Sequence, residues 1–337
     1  MKIFITGGAG YIGSHACVEI LKKSHNVLVY DNLSNGSFEA LQRVKLITNK
    51  DLDFIHGDIR NKDKLTEVMN SYKPDVVLHF AGLKAVGESV SEPLNYYDVN
   101  VSGTINLLNV MDAVNCRNIV FSSSATVYGE AQYLPYDTLH SLNPTNPYGR
   151  SKLIIEQILK DWCDTNISKK AVCLRYFNPI GAHESGLIGE DPQNTPNNLM
   201  PYISQVALGK RDKLYIYGDN YPTKDGTGER DYIHVVDLAI GHLKAIENIN
   251  TLDEFEVLNL GAGRCTSVLQ LVKEFENASL REIQTKIVTR RPGDIAISWA
   301  DTSLAEKKLN IKFERTIKQM CEDSWRWQMK NPNGYCE

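Results

Sequence analysis

The chain begins with the stretch KIFITGGAGYIGSH, residues 2–15. A short apolar run stops at a cluster of glycines, and a segment with helical apolar periodicity follows, which predicts a strand, a glycine turn and a helix. Glycines let backbone N–H groups approach a phosphate, and a helix N-terminus favours negative charge. The spacing Gly7-x-x-Gly10-x-x-Gly13 moves one glycine relative to the usual dinucleotide-binding pattern, and glycine turns also occur for purely structural reasons. The stretch alone is therefore weak evidence for a nucleotide site.

Short β-branched runs alternate with helical segments through the first half of the chain, which predicts βαβ units and a doubly wound parallel α/β sheet. The predicted strands are Ile3–Thr6, Val27–Tyr30, Asp53–His56, Val76–Phe80, Ile119–Ser122 and Ala171–Arg175, and the predicted helices are Tyr11–Lys23, Lys62–Tyr72, Val101–Val114 and Pro147–Asp164. In such sheets ligands bind at the carboxyl ends of the strands. We therefore look for functional residues at those ends.

The alternation stops after about Asn178, where prolines, glycines and asparagines become frequent. Tyr215–Tyr217 and Glu256–Leu260 are predicted as isolated strands, and Thr266–Asn277 as a helix. We expect a cofactor domain at residues 1–177 and a smaller, mixed α/β substrate domain at 178–337. Some strands and helices of the second part are expected to return to the first.

Composition limits the possible partners. The chain has 337 residues, a net charge of −4 and seven cysteines that are scattered along it. Nothing here favours nucleic acid or an anionic membrane as partner, no apolar run approaches the roughly 20 residues of a membrane span, and no secretory signal opens the sequence. We expect reduced thiols, no metal and a cytoplasmic location.

Two carboxylates end predicted strands. Asp31 lies 18 residues beyond Gly13, where it can accept both hydroxyls of an adenosine ribose and would repel a 2′-phosphate, so it favours NAD over NADP. Asp58 follows the third strand and could reach the adenine. A helix cap or loop residue remains the alternative for Asp31, and a turn residue for Asp58.

The segment NPYGRSK, residues 146–152, holds the most informative pair. Asn146 is a good N-cap and Pro147 a good first helical residue, so Tyr148 and Lys152 share one face of a helix. That face is otherwise apolar. Core packing would explain the tyrosine but not the lysine, because an unpaired buried ammonium is unfavourable.

The chemistry of this pair follows from electrostatics. Lowering a tyrosine pKa from about 10 by about 3 units needs roughly 4 kcal/mol. One positive charge at about 4 Å, in an effective dielectric near 20, supplies roughly that amount. Lys152, helped by a positive nicotinamide, could therefore make Tyr148 a base. The run Ser122–Ser124 could provide a hydroxyl that bridges this base and a substrate, although the residues alone do not say which serine does so.

Taken together, the glycine spacing, Ser124 and Tyr148-x-x-x-Lys152 resemble the extended short-chain dehydrogenase/reductase family. Four longer motifs narrow the resemblance to the UDP-glucose (UDP-galactose) 4-epimerases: FAGLKAVGES (80–89), SSSATVYG (122–129), LRYFNP (174–179) and GTGERDYIH (226–234). The resemblance runs from Met1 to Tyr335. It implies a Rossmann-type fold, tightly bound NAD that is regenerated in each cycle, a UDP-sugar substrate and, from the helices at 101–114 and 147–164, a homodimer.

The resemblance also implies residue roles. Tyr148 would be the catalytic base, Ser124 its hydroxyl partner, and Lys152 the residue that tunes it and holds the nicotinamide ribose. The cofactor would be bound by Gly7, Gly10, Tyr11, Ile12, Gly13, Asp31, Asn32, Asp58, Ile59, Phe80, Lys84, Asn100, Lys152 and Phe177. The substrate would be bound by Ser124, Asn178, Asn198, Leu199, Tyr215, Tyr217, Arg230, Arg291, Asp294 and Ser298.

In this family a tyrosine takes the proton of the sugar 4-hydroxyl while the 4-hydride passes to NAD⁺; the 4-keto sugar then turns over and the hydride returns to its other face. The two arginines suit a diphosphate because guanidinium donates in bidentate fashion, although a surface charge is the default for either arginine alone.

One position departs from the family pattern. Members restricted to glucose and galactose typically carry tyrosine where this chain has Ser298. The smaller side chain predicts room beside the sugar C2 substituent, and hence acceptance of N-acetylated UDP-hexoses. The alternative is that neighbouring residues fill the gap.

Three other functions compete. A sugar-nucleotide 4,6-dehydratase usually carries an Asp-Glu pair beside its active-site threonine, which Ser124-Ala-Thr126-Val127 lacks. A net dehydrogenase would exchange its NAD. A non-catalytic NAD-sensing module would commonly lack the Tyr–Lys pair that this chain keeps.

Overall fold

The computed structural model describes residues 1–192, 196, 198–291 and 294–335. Its main sheet is built from β1 (Lys2–Thr6), β2 (Asn26–Asp31), β3 (Asp53–His56), β4 (Val76–His79), β5 (Asn118–Ser124), β6 (Lys170–Tyr176) and β11 (Phe255–Leu260). All pairs are parallel, in the order β11-β6-β5-β4-β1-β2-β3. The predicted doubly wound parallel fold is confirmed, and its switch point lies between β1 and β4.

Helices cover both faces of this sheet. One face carries α1 (Tyr11–Lys22), α2 (Phe38–Thr48), α9 (Val235–Glu247) and α11 (Ser303–Leu309), and the other carries α3 (Lys62–Tyr72), α6 (Gly103–Ala113) and α7 (Pro147–Asp164). Successive strand residues point to opposite faces. Ile3 and Ile5 therefore join the first core, and Phe4, between them, joins the second.

A smaller part lies over the carboxyl ends of the sheet. Its strands are β7 (Asn178–Ile180), β8 (Leu214–Tyr217), β9 (Glu229–Arg230), β10 (Tyr232–His234), β12 (Thr266–Ser267), β13 (Thr285–Val288) and β14 (Ile297–Ser298). They form three small sheets, β10-β7, β12-β9-β14 and β13-β8. Helices α8 (Leu199–Ala207), α10 (Val268–Ser279) and α12 (Ile317–Lys330) pack around a third core that includes Ile203, Phe275 and Met320.

Four short helical elements complete the chain: α4 (Val86–Ser91), α5 (Pro93–Tyr96), a π-helical turn (Tyr97–Ser102) and a 3₁₀ turn (Ala125–Val127). The π-helical turn carries Asn100, one of the predicted cofactor residues, and runs directly into α6. Single π turns are frequent at functional sites.

The structure corrects two strand expectations and adds helices that were not predicted. The strand predicted as isolated at Tyr215–Tyr217 is part of β8, which pairs with β13. The strand predicted as isolated at Glu256–Leu260 is β11, the edge strand of the main sheet, paired with β6. Helix α2 was not predicted. The segment before it, residues 32–37, has the composition of a loop, and the prediction did not extend beyond that loop. Helix α9 was not predicted because it follows β10 without a turn and is capped by His234, an unusual cap whose Nδ1 accepts the N–H of Val236 at 3.0 Å.

Burial lowers the reactivity of cysteine thiols in this protein. Cys17, Cys116, Cys163, Cys173, Cys265 and Cys321 are free thiols, and Cys336 lies outside the described residues. Burial raises the pKa of the Cys116 thiol to about 11 and that of Cys163 to about 12. These two thiols are therefore poor nucleophiles. Within the described ranges, no helix has the length and apolarity that a membrane crossing requires.

His15, His79 and His242 are among the buried histidines. Burial lowers the pKa of His15 and of His79 to about 3, and that of His242 to about 4, so all three are neutral at physiological pH. His79, at the end of β4, lies between the hydroxyl groups of Thr6 (2.6 Å) and Thr104 (2.9 Å).

Candidate active site

The glycine turn leaves β1 beside the switch point, and the three glycines of the Gly7-x-x-Gly10-x-x-Gly13 pattern have different roles. Gly7 has φ = +74°, and a Cβ on it would lie 2.5 Å from the backbone nitrogen of Ala81. A Cβ on Gly13 would lie 2.3 Å from the carbonyl oxygen of Gly7. A Cβ on Gly10 would meet only that same oxygen, at 3.4 Å. Gly7 and Gly13 therefore allow the turn itself, whereas Gly10 faces open space in front of α1.

Helix α1 begins behind Gly10 with no side-chain cap. The first N–H groups of a helix, here those of Tyr11 and Ile12, have no partner within the helix and attract an anion. The Tyr11 side chain turns elsewhere: its hydroxyl donates to the carbonyl oxygen of Gly181 at 2.6 Å. The backbone of this turn thus fits a pyrophosphate, and Tyr11 also joins the two parts of the chain.

Asp31 closes the cradle at the carboxyl end of β2. One carboxylate oxygen accepts the N–H of Ala9 (2.9 Å) and the other accepts that of Leu33 (2.8 Å). Burial raises the pKa of Asp31, and these two hydrogen bonds oppose the rise. The loop interpretation was thus partly right, and the remaining lone pairs still suit a ribose. The cradle residues fit a dinucleotide.

Asp58 lies at the end of β3, next in the sheet. Its carboxylate accepts from Asn32 Nδ2 (2.9 Å), from the N–H of Arg60 (2.8 Å) and from the Arg60 guanidinium, which holds the pKa of Asp58 at about 2. The backbone bond from Arg60 is the turn contact that competed with the adenine role. Ile59 beside it is buried near Gly103, where α6 begins.

The Tyr–Lys pair lies on the first two turns of α7. Asn146 caps this helix as predicted, with Oδ1 accepting the N–H of Gly149 at 2.8 Å. Tyr148 and Lys152 are 6% and 5% exposed, respectively. Lys152 Nζ donates to the carbonyl oxygen of Ser122 at 2.8 Å and lies 5.8 Å from the centre of the Tyr148 ring. The buried lysine therefore has a polar partner at the carboxyl end of β5.

The structure separates the three serines. Ser124 lies against Tyr148, and its Oγ accepts the hydroxyl of Thr126 at 2.9 Å. Ser123 donates to Glu156 Oε1 at 2.5 Å. The Ser122 hydroxyl is buried and has no partner among the described residues. Ser124 is thus the serine that can serve a base at Tyr148.

The residues of the chain by themselves do not lower the pKa of Tyr148. Burial raises the pKa of Tyr148 well above its usual value, and the neighbouring Ser124 hydroxyl only partly opposes this. Burial also lowers the pKa of Lys152 to about 8, while the Glu156 carboxylate raises it. The lysine ammonium is held by a backbone carbonyl and not against the phenol oxygen. The protein alone therefore keeps Tyr148 protonated.

The Asn100 side chain supports the predicted cofactor site through hydrogen bonds to neighbouring parts of the chain and does not point into that site. Its Oδ1 accepts the N–H of Leu83 (2.7 Å), and its Nδ2 donates to the carbonyl oxygen of Leu83 (3.1 Å) and to Ser151 Oγ (3.0 Å). It thereby joins the loop that carries Lys84 to α7. Lys84 itself is half exposed and pairs with Glu190 at 3.5 Å.

Two predicted aromatic residues follow strands of the main sheet. Phe80 follows β4 and packs on His242, with ring centres 4.8 Å apart. Phe177 follows β6, is buried, and packs on Tyr136 at 6.0 Å. Both lie beside the carboxyl edge where a dinucleotide would be bound.

A cavity of about 570 Å³ opens in the smaller part of the molecule. Its lining contains every predicted substrate residue except Ser124 and Ser298, namely Asn178, Asn198, Leu199, Tyr215, Tyr217, Arg230, Arg291 and Asp294. Residues from five separate chain segments thus meet here. The volume suits a small ligand.

The two arginines approach this cavity in different ways. Arg230, in β9, donates through Nη1 to the carbonyl oxygen of Glu229 at 2.9 Å. Arg291 lies over the Tyr217 ring at 4.7 Å and donates through Nε to Asp294 at 2.9 Å. Asp294, predicted as a substrate contact, is therefore also the ion-pair partner of Arg291.

Ser298 lies in β14, in register with Arg230 of β9. Its carbonyl oxygen accepts the N–H of Asp231 at 2.9 Å, and the residue is 9% exposed. It does not belong to the cavity lining, so a tyrosine here would have to extend past its strand neighbours to affect a ligand.

Sequence reasoning missed several residues at the site. The cavity is also lined by Tyr202, Tyr221 and Tyr232. Glu156 and Arg175 form a buried ion pair beside Ser123. Glu156 could have been found from the helical spacing, since it continues the face of Tyr148 and Lys152. The tyrosines carried no signal in the sequence that separates them from core residues.

Comparison with known proteins adds the family. The family described as GDP-mannose 4,6 dehydratase matches residues 4–324. A UDP-glucose 4-epimerase of Bacillus subtilis is 52% identical over 335 residues, covering 99% of each chain.

Two solved structures resemble this chain closely. The UDP-glucose 4-epimerase of Bifidobacterium longum, in complex with NAD⁺ and UDP, has a TM-score of 0.95 and 49% identity and covers 99% of this chain and 100% of its own. The UDP-Glc/GlcNAc 4-epimerase of Campylobacter jejuni has a TM-score of 0.86 and 34% identity, covering 98% and 99%.

Proposed function

This chain belongs to the UDP-glucose 4-epimerases, within the wider family described as GDP-mannose 4,6 dehydratase, and on that premise we propose that it interconverts UDP-glucose and UDP-galactose with NAD as its bound cofactor. One juxtaposition carries the proposal: Tyr148, Lys152 and Ser124 meet at the end of β5, beside the glycine cradle. The carboxyl edge of a doubly wound sheet is where a cofactor and a substrate can both reach that pair.

The cofactor would be held by the Gly7–Gly13 turn, Asp31 and Lys152. When bound, NAD supplies reversible oxidation at the sugar carbon. The chain's own task at that carbon is proton transfer: Tyr148 Oη takes the proton of the 4-hydroxyl and later returns it, with Ser124 bridging. Because the residues of the chain alone raise the pKa of Tyr148, Lys152 must be charged and the positive charge of the cofactor must be added before the phenol can act as a base.

The nucleotide would occupy the 570 Å³ cavity, with Arg230 and Arg291 on the diphosphate. Planar guanidinium groups suit this ligand because each can donate two parallel hydrogen bonds. Anchoring the diphosphate leaves the hexose free to present either face of its C4 atom to the cofactor. An epimerase needs that freedom, whereas a dehydrogenase does not.

The decisive assay uses purified protein without added NAD and compares UDP-galactose with UDP-N-acetylgalactosamine. We expect turnover of UDP-galactose with no net NADH release. Steady NADH release once NAD⁺ is supplied in excess would indicate a dehydrogenase, a 4-keto-6-deoxy product would indicate a dehydratase, and NAD binding without turnover would indicate a sensing module. Each of these results contradicts the proposal.

We also propose that N-acetylated UDP-hexoses are accepted, on the small side chain of Ser298. The substitution Ser298→Tyr tests this idea. We expect it to abolish turnover of UDP-N-acetylgalactosamine while UDP-galactose turnover changes less than about threefold, because UDP-galactose has no N-acetyl group for the larger side chain to exclude. Unchanged activity on the N-acetylated substrate would refute it. Ser303→Tyr, at the exposed start of α11, is the matched control.

Two further proposals concern assembly and location. We propose a homodimer formed through α6 and α7; an exposed apolar residue of α6, Ile105, supports this proposal. Light scattering of the purified protein will give the mass of the assembly. A cytoplasmic location is proposed on the six free cysteines.

A further inference from the structure

Three successive turns of α7 are joined to three consecutive residues of β5. Tyr148 lies against Ser124, Lys152 donates to the carbonyl oxygen of Ser122, and Glu156 accepts the hydroxyl of Ser123. The first two contacts belong to the proposed catalytic machinery. The third, two turns farther along the helix, has no role yet.

Glu156 is 3% exposed, and both of its carboxylate oxygens accept hydrogen bonds. Its carboxylate accepts Ser123 Oγ at 2.5 Å, Arg175 Nε at 3.0 Å and Arg175 Nη2 at 2.6 Å. Ser123 and Arg175 are register partners in β5 and β6, so the carboxylate spans two strands from the helix above them. The Arg175 guanidinium also stacks on the Tyr128 ring at 4.9 Å.

Stability alone is a poor reason for such a pair. Taking two charges out of water costs about as much as their attraction returns, and apolar replacements of buried ion pairs are often neutral or stabilising. Yet the pair lies one helical turn from an ammonium that is also buried, and the Glu156 carboxylate is the charge that favours the protonated form of Lys152. Its position therefore suits a task in the site.

We propose that Glu156 is a positioning residue for the Tyr148–Lys152 pair: it fixes α7 against β5 through Ser123 and places a negative charge one helical turn from the buried Lys152 ammonium. Arg175 orients this carboxylate. The inference rests on the proposed function, because Lys152 matters only if Tyr148 acts as a base.

Other titratable groups around the pair do not supply this charge. His79, from β4, is neutral, and a positive charge on it would repel Lys152. Tyr176, from β6, and Tyr96, from α5, face Tyr148 and are held protonated because burial raises the pKa of each hydroxyl. Among the described residues that influence the charge of Lys152, Glu156 is the one that favours the ammonium.

The test compares E156Q, E156D and S123A in the NAD-loaded protein. Glutamine keeps the shape but loses the charge, aspartate keeps the charge, and S123A removes only the hydroxyl contact. We expect the alkaline limb of the kcat/KM profile to move down by about one pH unit in E156Q, given the strength of a nearby charge at an effective dielectric near 20. It should stay in place in E156D and S123A.

A second readout is independent of activity. The ¹³Cε resonance of Lys152, assigned with K152M, should titrate at lower pH in E156Q by a similar amount. If E156Q does not fold, because Arg175 is left as an unpaired buried cation, the double variant E156Q/R175M removes both charges and is titrated in its place.

The outcomes separate the two proposals. Failure of the wild-type protein to turn over UDP-hexoses refutes the proposed function. Wild-type turnover with the same alkaline limb and Lys152 titration in a folded E156Q protein refutes the role of Glu156 alone. An equal shift of the limb in S123A would also refute it, since that variant keeps the charge.

Discussion

The cofactor half and the nucleotide half of the site are built in opposite ways. The cradle at Gly7–Gly13 consists of backbone, and a Cβ on Gly7 or on Gly13 would lie only 2.5 or 2.3 Å, respectively, from another backbone atom. The cavity in the smaller part is lined mainly by side chains, from short strands and loops, and some of them are well exposed: Tyr215 and Tyr217 are each 41% exposed. The first half should tolerate almost no change of backbone, whereas the second should tolerate change but lose affinity.

The largest effect on activity should come from the substitution of Tyr148, the residue that both the cofactor half and the nucleotide half of the site serve. Tyr148→Phe removes the oxygen that takes and returns the proton of the 4-hydroxyl, and we expect kcat to fall by about 10³-fold, within the range of general acid–base catalysis. NAD content and thermal unfolding should remain near the wild-type values. Tyr72→Phe, which removes a hydroxyl bonded to the carbonyl oxygen of Asn26, far from the site, is the matched control. Retention of most of the turnover by Y148F would contradict the assignment.

Alanine at two glycines tests the contrast directly. Gly7→Ala places a Cβ against the backbone of Ala81 at positive φ, so we expect a loss of at least about 2 kcal/mol in the free energy of unfolding. Gly10→Ala meets no such obstacle and should fold normally, but it should lose NAD, because its methyl group enters the space in front of α1. Thermal melts and the NAD released on denaturation separate the two. Equal stability in both variants would contradict the description of the cradle.

On the nucleotide side the effects should be smaller and confined to binding. Arg230→Lys keeps the charge but loses the planar fork, and we expect KM for the UDP-sugar to rise about tenfold, equal to about 1.4 kcal/mol. Bound NAD and the unfolding temperature should not change. Lys312→Arg, at a position after α11, provides a matched charge-conserving control. A loss of NAD from R230K would show that the two halves are not separable.

The same contrast explains what the sequence could predict. The strands and helices that frame the cradle have strong periodicity, and the glycine turn, Asn146 cap and Tyr148–Lys152 spacing depend on neighbours close in the chain. The cavity instead brings together residues as distant as Asn178 and Asp294, which no local pattern reveals. Those residues were predicted through family resemblance, with one separate argument, that the guanidinium groups of Arg230 and Arg291 suit a diphosphate. Their roles remain predictions, as do the domain division at 177 and the individual cofactor contacts.

Two local features escaped prediction for physical reasons. The strand β11 reads as isolated because its partner, β6, lies almost 80 residues earlier, and pairing across such a distance leaves no periodic trace. The prediction that Tyr148 acts as a base relied on Lys152 together with a positive nicotinamide, and of these two charges the chain itself supplies only that of Lys152. Burial outweighs that attraction once the helix packs on the sheet, and Lys152 is directed to a carbonyl oxygen.

The buried neutral histidines make folding a proton-releasing event in mild acid. His15, His79 and His242 have pKa values of about 3, 3 and 4 in the native chain, against an unfolded value near 6.5. Between those limits the unfolded chain binds more protons than the native chain. The contribution of these histidines to the free energy of unfolding is therefore fully present above about pH 6.5 and is lost progressively as the pH falls toward 4. Asp231, whose pKa burial raises to about 6, acts in the opposite direction over part of this window and offsets one of the three. The buried histidines in the core around the cradle thus make the native protein less stable as the solution becomes more acidic.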